Sequence, residues 1–254
     1  MEEKKFIIKQ ENVQDYCKKM GDWIKEHIEN AKADGVVLGM SSGVDCSTVA
    51  ALCSKNNINV HLILMPYGDN MQKTKNYRDA MELIDKFKFD YHIFDIKPAV
   101  DSLEISNETN KNEIILNLAK ANIRPRIRMT YLYEYAQINN LLVIGTGNLS
   151  ERTVGYFTKW GDGASDLNPM GMLTKKEVYI LAKYLGVPDC IINKKPSADL
   201  WEGQTDEEEL GISYSQIDEY ILNGTCGNKK IDEIIKLKHE KTNHKLKPIP
   251  IFNL

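Results

Sequence analysis

From Val13 onward the apolar positions Tyr16, Met20, Trp23 or Ile24, and His27 or Ile28 return every three or four residues, so an amphipathic helix is predicted to open the chain. The pattern then changes. Gly35-Val36-Val37-Leu38-Gly39-Met40 is apolar without alternation and rich in β-branched residues, as a parallel strand covered on both faces requires. The same grammar repeats: helix-like over residues 45–55, strand-like over 60–65, helix-like over 72–87, strand-like over 91–96. A long helical stretch over about 111–139, with its break expected at Pro125, leads to a fourth strand over 141–145. Two more helices are predicted. One covers 174–185 and is closed by Gly186-Val187-Pro188; the other opens at Ser213, where Gln216 completes a capping box, and runs through Leu222.

Strands that alternate with helices, joined by right-handed crossovers, give an α/β fold: a doubly wound, mainly parallel sheet flanked by helices, Rossmann-like in organisation. In such sheets ligands sit beyond the carboxyl ends of the strands, which directs attention to the loops after Met40, Met65 and Gly145. No linker divides the sequence, so a single domain over 1–254 is expected. The run Asp206-Glu207-Glu208-Glu209 reads as a solvated acidic turn rather than a cation-binding patch.

Composition narrows the picture. The 254 residues carry 33 Lys+Arg against 36 Asp+Glu, a net charge of -3, which gives no electrostatic preference for nucleic acid. Only Phe6-Ile7-Ile8 is apolar near the start and no apolar run approaches a membrane span, so no membrane association and a cytoplasmic location are expected. The cysteines Cys17, Cys46, Cys53, Cys190 and Cys226 are scattered and form no C-x-x-C pair, which disfavours a disulfide framework or a cysteine zinc site.

The chemistry concentrates in Gly39-Met40-Ser41-Ser42-Gly43-Val44-Asp45-Cys46-Ser47-Thr48, placed between a predicted strand and a predicted helix. Small residues there let backbone N–H groups approach an anion, and the helix terminus adds unpaired amides and a partial positive charge. The guest that suits it is a polyphosphate, although the loop is neither G-x-x-x-x-G-K-[ST] nor G-x-G-x-x-G. An acid beside such a loop repels phosphate unless a metal bridges them, so Asp45 points to Mg²⁺, and Glu151, after the next strand, is a second carboxylate for it. Read alone, Asp45 is a helix N-cap, Glu151 a surface residue and Lys175 an exposed lysine.

These segments resemble the ATP-pyrophosphatase enzymes with an SGGxDS loop and, within them, the NAD synthetases. The SSGVDC loop places Ser42 at the second motif position, a glycine in SGGxDS, and Cys46 at the usual serine. Gly145-Thr146 followed by Glu151, and then Gly155-Tyr156-Phe157-Thr158-Lys159-Trp160-Gly161-Asp162-Gly163-Ala164-Ser165-Asp166, looks like the family's GFFTKYGDGxxD segment. Pro66-Tyr67-Gly68, the stretch 122–129, Leu173-Thr174-Lys175, Lys195-Pro196-Ser197-Ala198-Asp199-Leu200, the stretch 210–214 and Thr242-Asn243-His244-Lys245 fall in the family's order, so the resemblance covers nearly the whole chain.

The resemblance implies an adenine nucleotide alpha-hydrolase-like fold. It also implies amidation of deamido-NAD to NAD, in which ATP adenylates the nicotinate carboxylate and ammonia displaces AMP. Gly39, Met40, Ser41, Ser42, Gly43, Val44, Asp45 and Cys46 would form the ATP loop, with Thr146, Lys175 and Ser197 also on ATP. Asp45 and Glu151 would hold Mg²⁺, with Asp45 and Lys175 as the catalytic residues. Deamido-NAD would meet Arg126, Lys159, Asp166, His244 and Lys245, whereas Arg128, two positions from Arg126 on a helix, faces elsewhere. Phe157 and Trp160 are expected to pack as a lid over the core rather than line the nicotinate pocket. Cys46 is not expected to act as a nucleophile. The chain has no room for a glutaminase domain, so free ammonia is the expected nitrogen source, and a homodimer is the family's usual assembly. The loop taken alone also permits another ATP-pyrophosphatase with a different acceptor, or a non-catalytic ATP-binding module.

Overall fold

The computed structural model describes residues 6–68, 73–103, 113–197 and 205–252. Four strands, β1 (Gly35–Gly39), β2 (Val60–Leu64), β3 (Tyr91–Ile93) and β4 (Leu141–Val143), form one wholly parallel sheet in the order β3-β2-β1-β4. In its register Val36 lies opposite Val60 on one side and Leu142 on the other. The first half of the fold contributes helices α1 (Val13–Ala31), α2 (Val44–Lys55), α3 (Lys75–Phe87), α4 (Lys97–Asp101), α5 (Glu113–Ala121) and α6 (Ile123–Ile138). After β4 come α7 (Leu149–Val154), α8 (Lys175–Leu185), α9 (Asp189–Ile192), α10 (Asp206–Leu210), α11 (Tyr214–Asn223) and α12 (Lys229–Thr242), then a 3-10 turn at Asn243–Lys245.

The unbroken apolar character of β1 follows from its place in the middle of the sheet. Val36 and Leu38 pack with Ile24, Leu52 and Leu181 from α1, α2 and α8, while Val37 packs on the opposite face with Met129 and Leu132 from α6. Helices therefore cover both faces, as the doubly wound reading requires. A third cluster of Val154, Ile217 and Ile235 joins α7, α11 and α12 beyond the sheet. Among the described residues no helix is long and apolar enough to cross a membrane.

Chain order reverses between β1 and β4: the path goes outward through β2 and β3, then returns to the other side of β1. That switch point opens a crevice at the carboxyl ends of β1 and β4. The free edge of β4 is closed by residues 166–167. There the Asp166 amide donates to Val143 O at 2.9 Å, the Val143 amide donates to Asp166 Oδ2 at 2.7 Å, and Gly145 N donates to Leu167 O at 2.7 Å.

Several boundaries differ from the sequence reading. The long helix breaks at Asn122, ahead of Pro125, because a proline clashes with the carbonyl four residues before it but is tolerated in the first turn of a new helix. The third strand ends at Ile93, an exposed edge position, rather than at 96. The helix expected from Gln72 starts at Lys75, capped by the Thr74 side chain; residues 69–72 lie outside the described part. The acidic run is solvated at Glu207, Glu208 and Glu209, as expected, but is helical rather than a turn. It forms α10, whose Asp206 is buried and accepts from the Tyr214 hydroxyl at 2.8 Å, while Glu207 accepts from the Tyr214 amide at 2.8 Å and Glu209 from the Tyr156 hydroxyl at 2.7 Å. The capping box at Ser213 and Gln216 is present.

Candidate active site

At the end of β1 the Met40 amide makes the last sheet hydrogen bond, to Ile63 O at 2.9 Å, and the chain turns into α2. Ser42 takes a left-handed backbone, φ 62°, and is fully buried at 0% exposure. Gly43, the N-cap of α2, offers no side chain, so the first-turn amides keep their donors and the dipole's positive end faces the loop. The thiol of Cys46 fastens the turn: it donates to Gly43 O at 3.2 Å and accepts from the Ser41 amide at 3.4 Å. It does so from a buried position.

Asp45 follows at the second position of α2 and meets Lys175 across the crevice, with Oδ2 2.6 Å from Nζ. Glu151 Oε1 reaches the same ammonium at 3.1 Å from α7, which starts just beyond β4. Lys175 is the first residue of α8, where a cation opposes the helix dipole, and it is buried to 2% exposure rather than exposed as its sequence position suggests. Two carboxylates and the Tyr214 ring, whose centroid lies 4.7 Å from Nζ, make that burial tolerable. Burial disfavours charge on Lys175, but Asp45 and Glu151 outweigh it and raise the pKa. Burial also pushes Glu151 up to about 7; the Asp45 charge acts in the same direction and Lys175 against it.

Asn148 ties the parts together. Its side chain donates to Asp45 Oδ1 at 2.8 Å and accepts from the Glu151 amide at 3.0 Å, while Glu151 Oε2 accepts from the Asn148 amide at 3.2 Å. This capping box fixes the Glu151 rotamer and aims its other oxygen at Lys175. Among the described residues no group of three or more His, Cys, Asp and Glu could hold a metal on protein ligands alone. The Asp45 and Glu151 pair does fit Mg²⁺, which takes one or two carboxylates and completes its shell with water and phosphate oxygens.

The second group of expected site residues gathers near the 3-10 turn. Arg126 Nε donates to Lys159 O at 3.3 Å, Lys159 Nζ to His244 O at 3.1 Å, and Lys245 Nζ to Gly155 O and Phe157 O, both at 2.8 Å. Asp166 stands apart from these, with one oxygen on the β4 edge and the other 3.3 Å from the Tyr133 hydroxyl. Glu151 of the first group and Lys245 of the second line a cleft of about 180 Å³ whose walls also include Thr146, Phe157 and Asn168. Phe157 thus lines the cleft, and Trp160, at 58% exposure, does not pack as a lid. Gly163 is required beside it, since a Cβ there would come within 2.3 Å of the Phe157 ring. Ser197 lies on an exposed stretch after α9. Arg128 donates to Met65 O at 3.0 Å and so braces α6 against the end of β2.

The family model for NAD synthase matches residues 16–249. The chain belongs to the NAD synthase family. Within it, the NH(3)-dependent NAD(+) synthetase of Finegoldia magna is 41% identical over 91% of this chain and 92% of its own length. Among solved structures, the NMN synthetase of Francisella tularensis superposes with a TM-score of 0.87 at 38% identity, covering 95% of this chain and 99% of that one. The NH3-dependent NAD synthetase of Campylobacter jejuni, in complex with nitrate, gives a TM-score of 0.75 at 33% identity with the same coverage.

Against that family background, the sequence reading missed Asn148 and the Tyr214–Asp206 pair. Asn148 had a legible signal, an Asn followed three residues later by Glu just after a strand. The Tyr214 hydroxyl lies 3.4 Å from Glu151 Oε1 and 2.8 Å from Asp206 Oδ2, a contact that α10 and α11 create only in three dimensions.

Proposed function

We propose that the protein is an ammonia-dependent NAD synthetase that uses ATP to activate deamido-NAD. The observation that carries this reading is the meeting of Asp45, Glu151 and Lys175 at the switch point, beside an uncapped helix terminus, in a chain of the NAD synthase family. A nicotinate carboxylate is a poor electrophile. One of its oxygens attacks the α-phosphorus of ATP, the bond to the bridging oxygen of the β-phosphate breaks, and pyrophosphate leaves. Ammonia then adds to the acyl carbon, loses a proton and expels AMP, leaving the amide.

In this reading residues 39–46 cradle the polyphosphate with their amides, and Thr146 and Ser197 add hydroxyls. Lys175 neutralises charge that develops on the leaving pyrophosphate, and its two carboxylates keep it protonated. Asp45 and Glu151 would hold Mg²⁺, which when bound offsets the negative charge of the phosphates. Arg126, Lys159, His244 and Lys245 border the acceptor's phosphate and carboxylate groups, and Asp166 an acceptor hydroxyl. The chain acts as one domain on free ammonia. A homodimer is supported by the exposed Ile115 and Leu118 on α5 and Ile138 on α6, apolar side chains that a second copy would cover.

The test incubates the purified protein with ATP, Mg²⁺ and deamido-NAD, with ammonium or glutamine in parallel, and measures NAD, AMP and pyrophosphate together. Equal amounts of the three with ammonium are expected. Pyrophosphate without NAD would move the activity to another acceptor, and no turnover would leave only a binding module. The likeness to an NMN synthetase supports a second reading in which the acceptor is the mononucleotide. A higher kcat/KM for nicotinate mononucleotide than for deamido-NAD, measured side by side, would establish it.

A further inference from the structure

At the position where the resembling SGGxDS loops carry the first of their two glycines, this chain has Ser42, and the backbone there is left-handed, φ 62°. That region is open to glycine and disfavoured for a residue with a Cβ, so something must hold Ser42 in it. The hydroxyl of Ser42 accepts from Lys194 Nζ at 2.9 Å, and the same ammonium lies 3.4 Å from the Ser42 carbonyl oxygen. Asp79 Oδ2, on α3, lies 3.4 Å from that ammonium and is itself buried. One cation therefore grips the side chain and the carbonyl of the same residue while a buried carboxylate anchors the cation from behind. Rotation of Ser42 toward ordinary negative φ would swing its carbonyl off the ammonium.

We propose that Lys194 is a positioning residue for the ATP loop: held by Asp79, it locks Ser42 in the left-handed conformation that sets the direction of the loop amides. This rests on the reading of residues 39–46 as an ATP site. It also accounts for how the loop accepts a serine where the resembling loops have glycine. The geometry makes a specific demand: the need for Lys194 should shrink once residue 42 has no Cβ, because glycine holds positive φ unaided.

The experiment is calorimetric titration of Mg²⁺-ATP into the full-length protein and into Lys194→Met, Ser42→Gly and the double variant, each checked for a cooperative thermal transition. Lys194→Met is expected to weaken ATP binding about tenfold, the size of effect that a released left-handed residue can produce. In the Ser42→Gly background the same substitution should cost less than about threefold. An undiminished affinity in Lys194→Met, or an equal loss in both backgrounds, overturns the proposal; the second outcome would make Lys194 a direct phosphate contact. Should Lys194→Met fail to fold, the same cycle run with Asp79→Asn against Ser42→Gly reads the same coupling. If the wild type binds no Mg²⁺-ATP, the ATP reading of the loop falls first and this proposal with it.

Discussion

Two helices begin at the crevice, and they begin in opposite ways. α8 is sealed: the Lys175 amide donates to Ser150 Oγ at 2.9 Å, the Lys176 amide to Asp218 Oδ2 at 2.9 Å, and the Glu177 amide to Thr174 Oγ1 at 3.4 Å. α2 starts at a glycine and has no side-chain cap. The sealed terminus spends its donors on protein oxygens and can afterwards carry a lysine against its own dipole. The open terminus leaves its donors without side-chain acceptors, which is what an anion site needs. A helix end thus works either as a mount for a side chain or as a ligand site, and the difference lies in who supplies the acceptors.

The largest effect should come from removing what the sealed helix mounts. Lys175→Met leaves Asp45 and Glu151 facing each other without a cation, which should cost about 3 kcal/mol of stability and lower Tm by roughly 10 °C. Thermal unfolding at pH 6 should show a smaller deficit than at pH 8, because Glu151 then takes up a proton. Next, Asp45→Asn should lower the rate of pyrophosphate release on the order of 100-fold or more, while circular dichroism reports an unchanged fold. Gly43→Asp would close the open terminus with an acceptor of its own. It should raise Tm slightly and weaken Mg²⁺-ATP binding at least about tenfold in a titration, through repulsion of phosphate. Stability and binding would move in opposite directions in that one variant.

Smaller effects test the seal. Thr174→Ala should cost about 1 kcal/mol, the usual worth of a lost N-cap, seen in urea denaturation. Asp218 is the subtlest. Burial raises its pKa above the ordinary 3.8, with Ser150 and the α8 amides acting the other way. The folded state therefore prefers the protonated acid, and stability is lost as pH rises from about that ordinary value through the raised one. The Tm of Asp218→Asn relative to wild type should accordingly climb as pH goes from 4 to 8; a falling difference would reverse the sign of the shift.

How much of this could be read from residues alone depends on range. The sheet was legible because a central parallel strand such as β1 announces itself by an apolar run without alternation. Capping boxes at Thr174 and Ser213 are also local, complete within four residues. The burial of Lys175 was not legible: its partner Asp45 lies 130 positions away, and nothing near a helix start predicts that two carboxylates will arrive there. Within the acidic run only the burial of Asp206 was hidden, for the same reason. Glu207, Glu208 and Glu209 are exposed as a run of acids suggests, while Asp206 is buried against the Tyr214 hydroxyl, a partner eight residues on. Asp45 and Glu151 could be named as a pair only by chemical type and family likeness, since their meeting depends on which strand lies next to β1.

The position of β4 beside β1, rather than at the far edge next to β3, also sets a timetable. A nascent chain that has emerged only as far as β3 already carries residues 39–46 with β1 and β2, yet β4, Glu151 and Lys175 have not been synthesised. Local contacts in that half can form early, whereas the pairing of Gly35 with Leu141 and of Val37 with Val143 must wait for the loop closure across β2, β3 and the helices between them. On the proposed reading, Asp45 therefore waits within residues 39–46 for Glu151 and Lys175 until most of the protein exists.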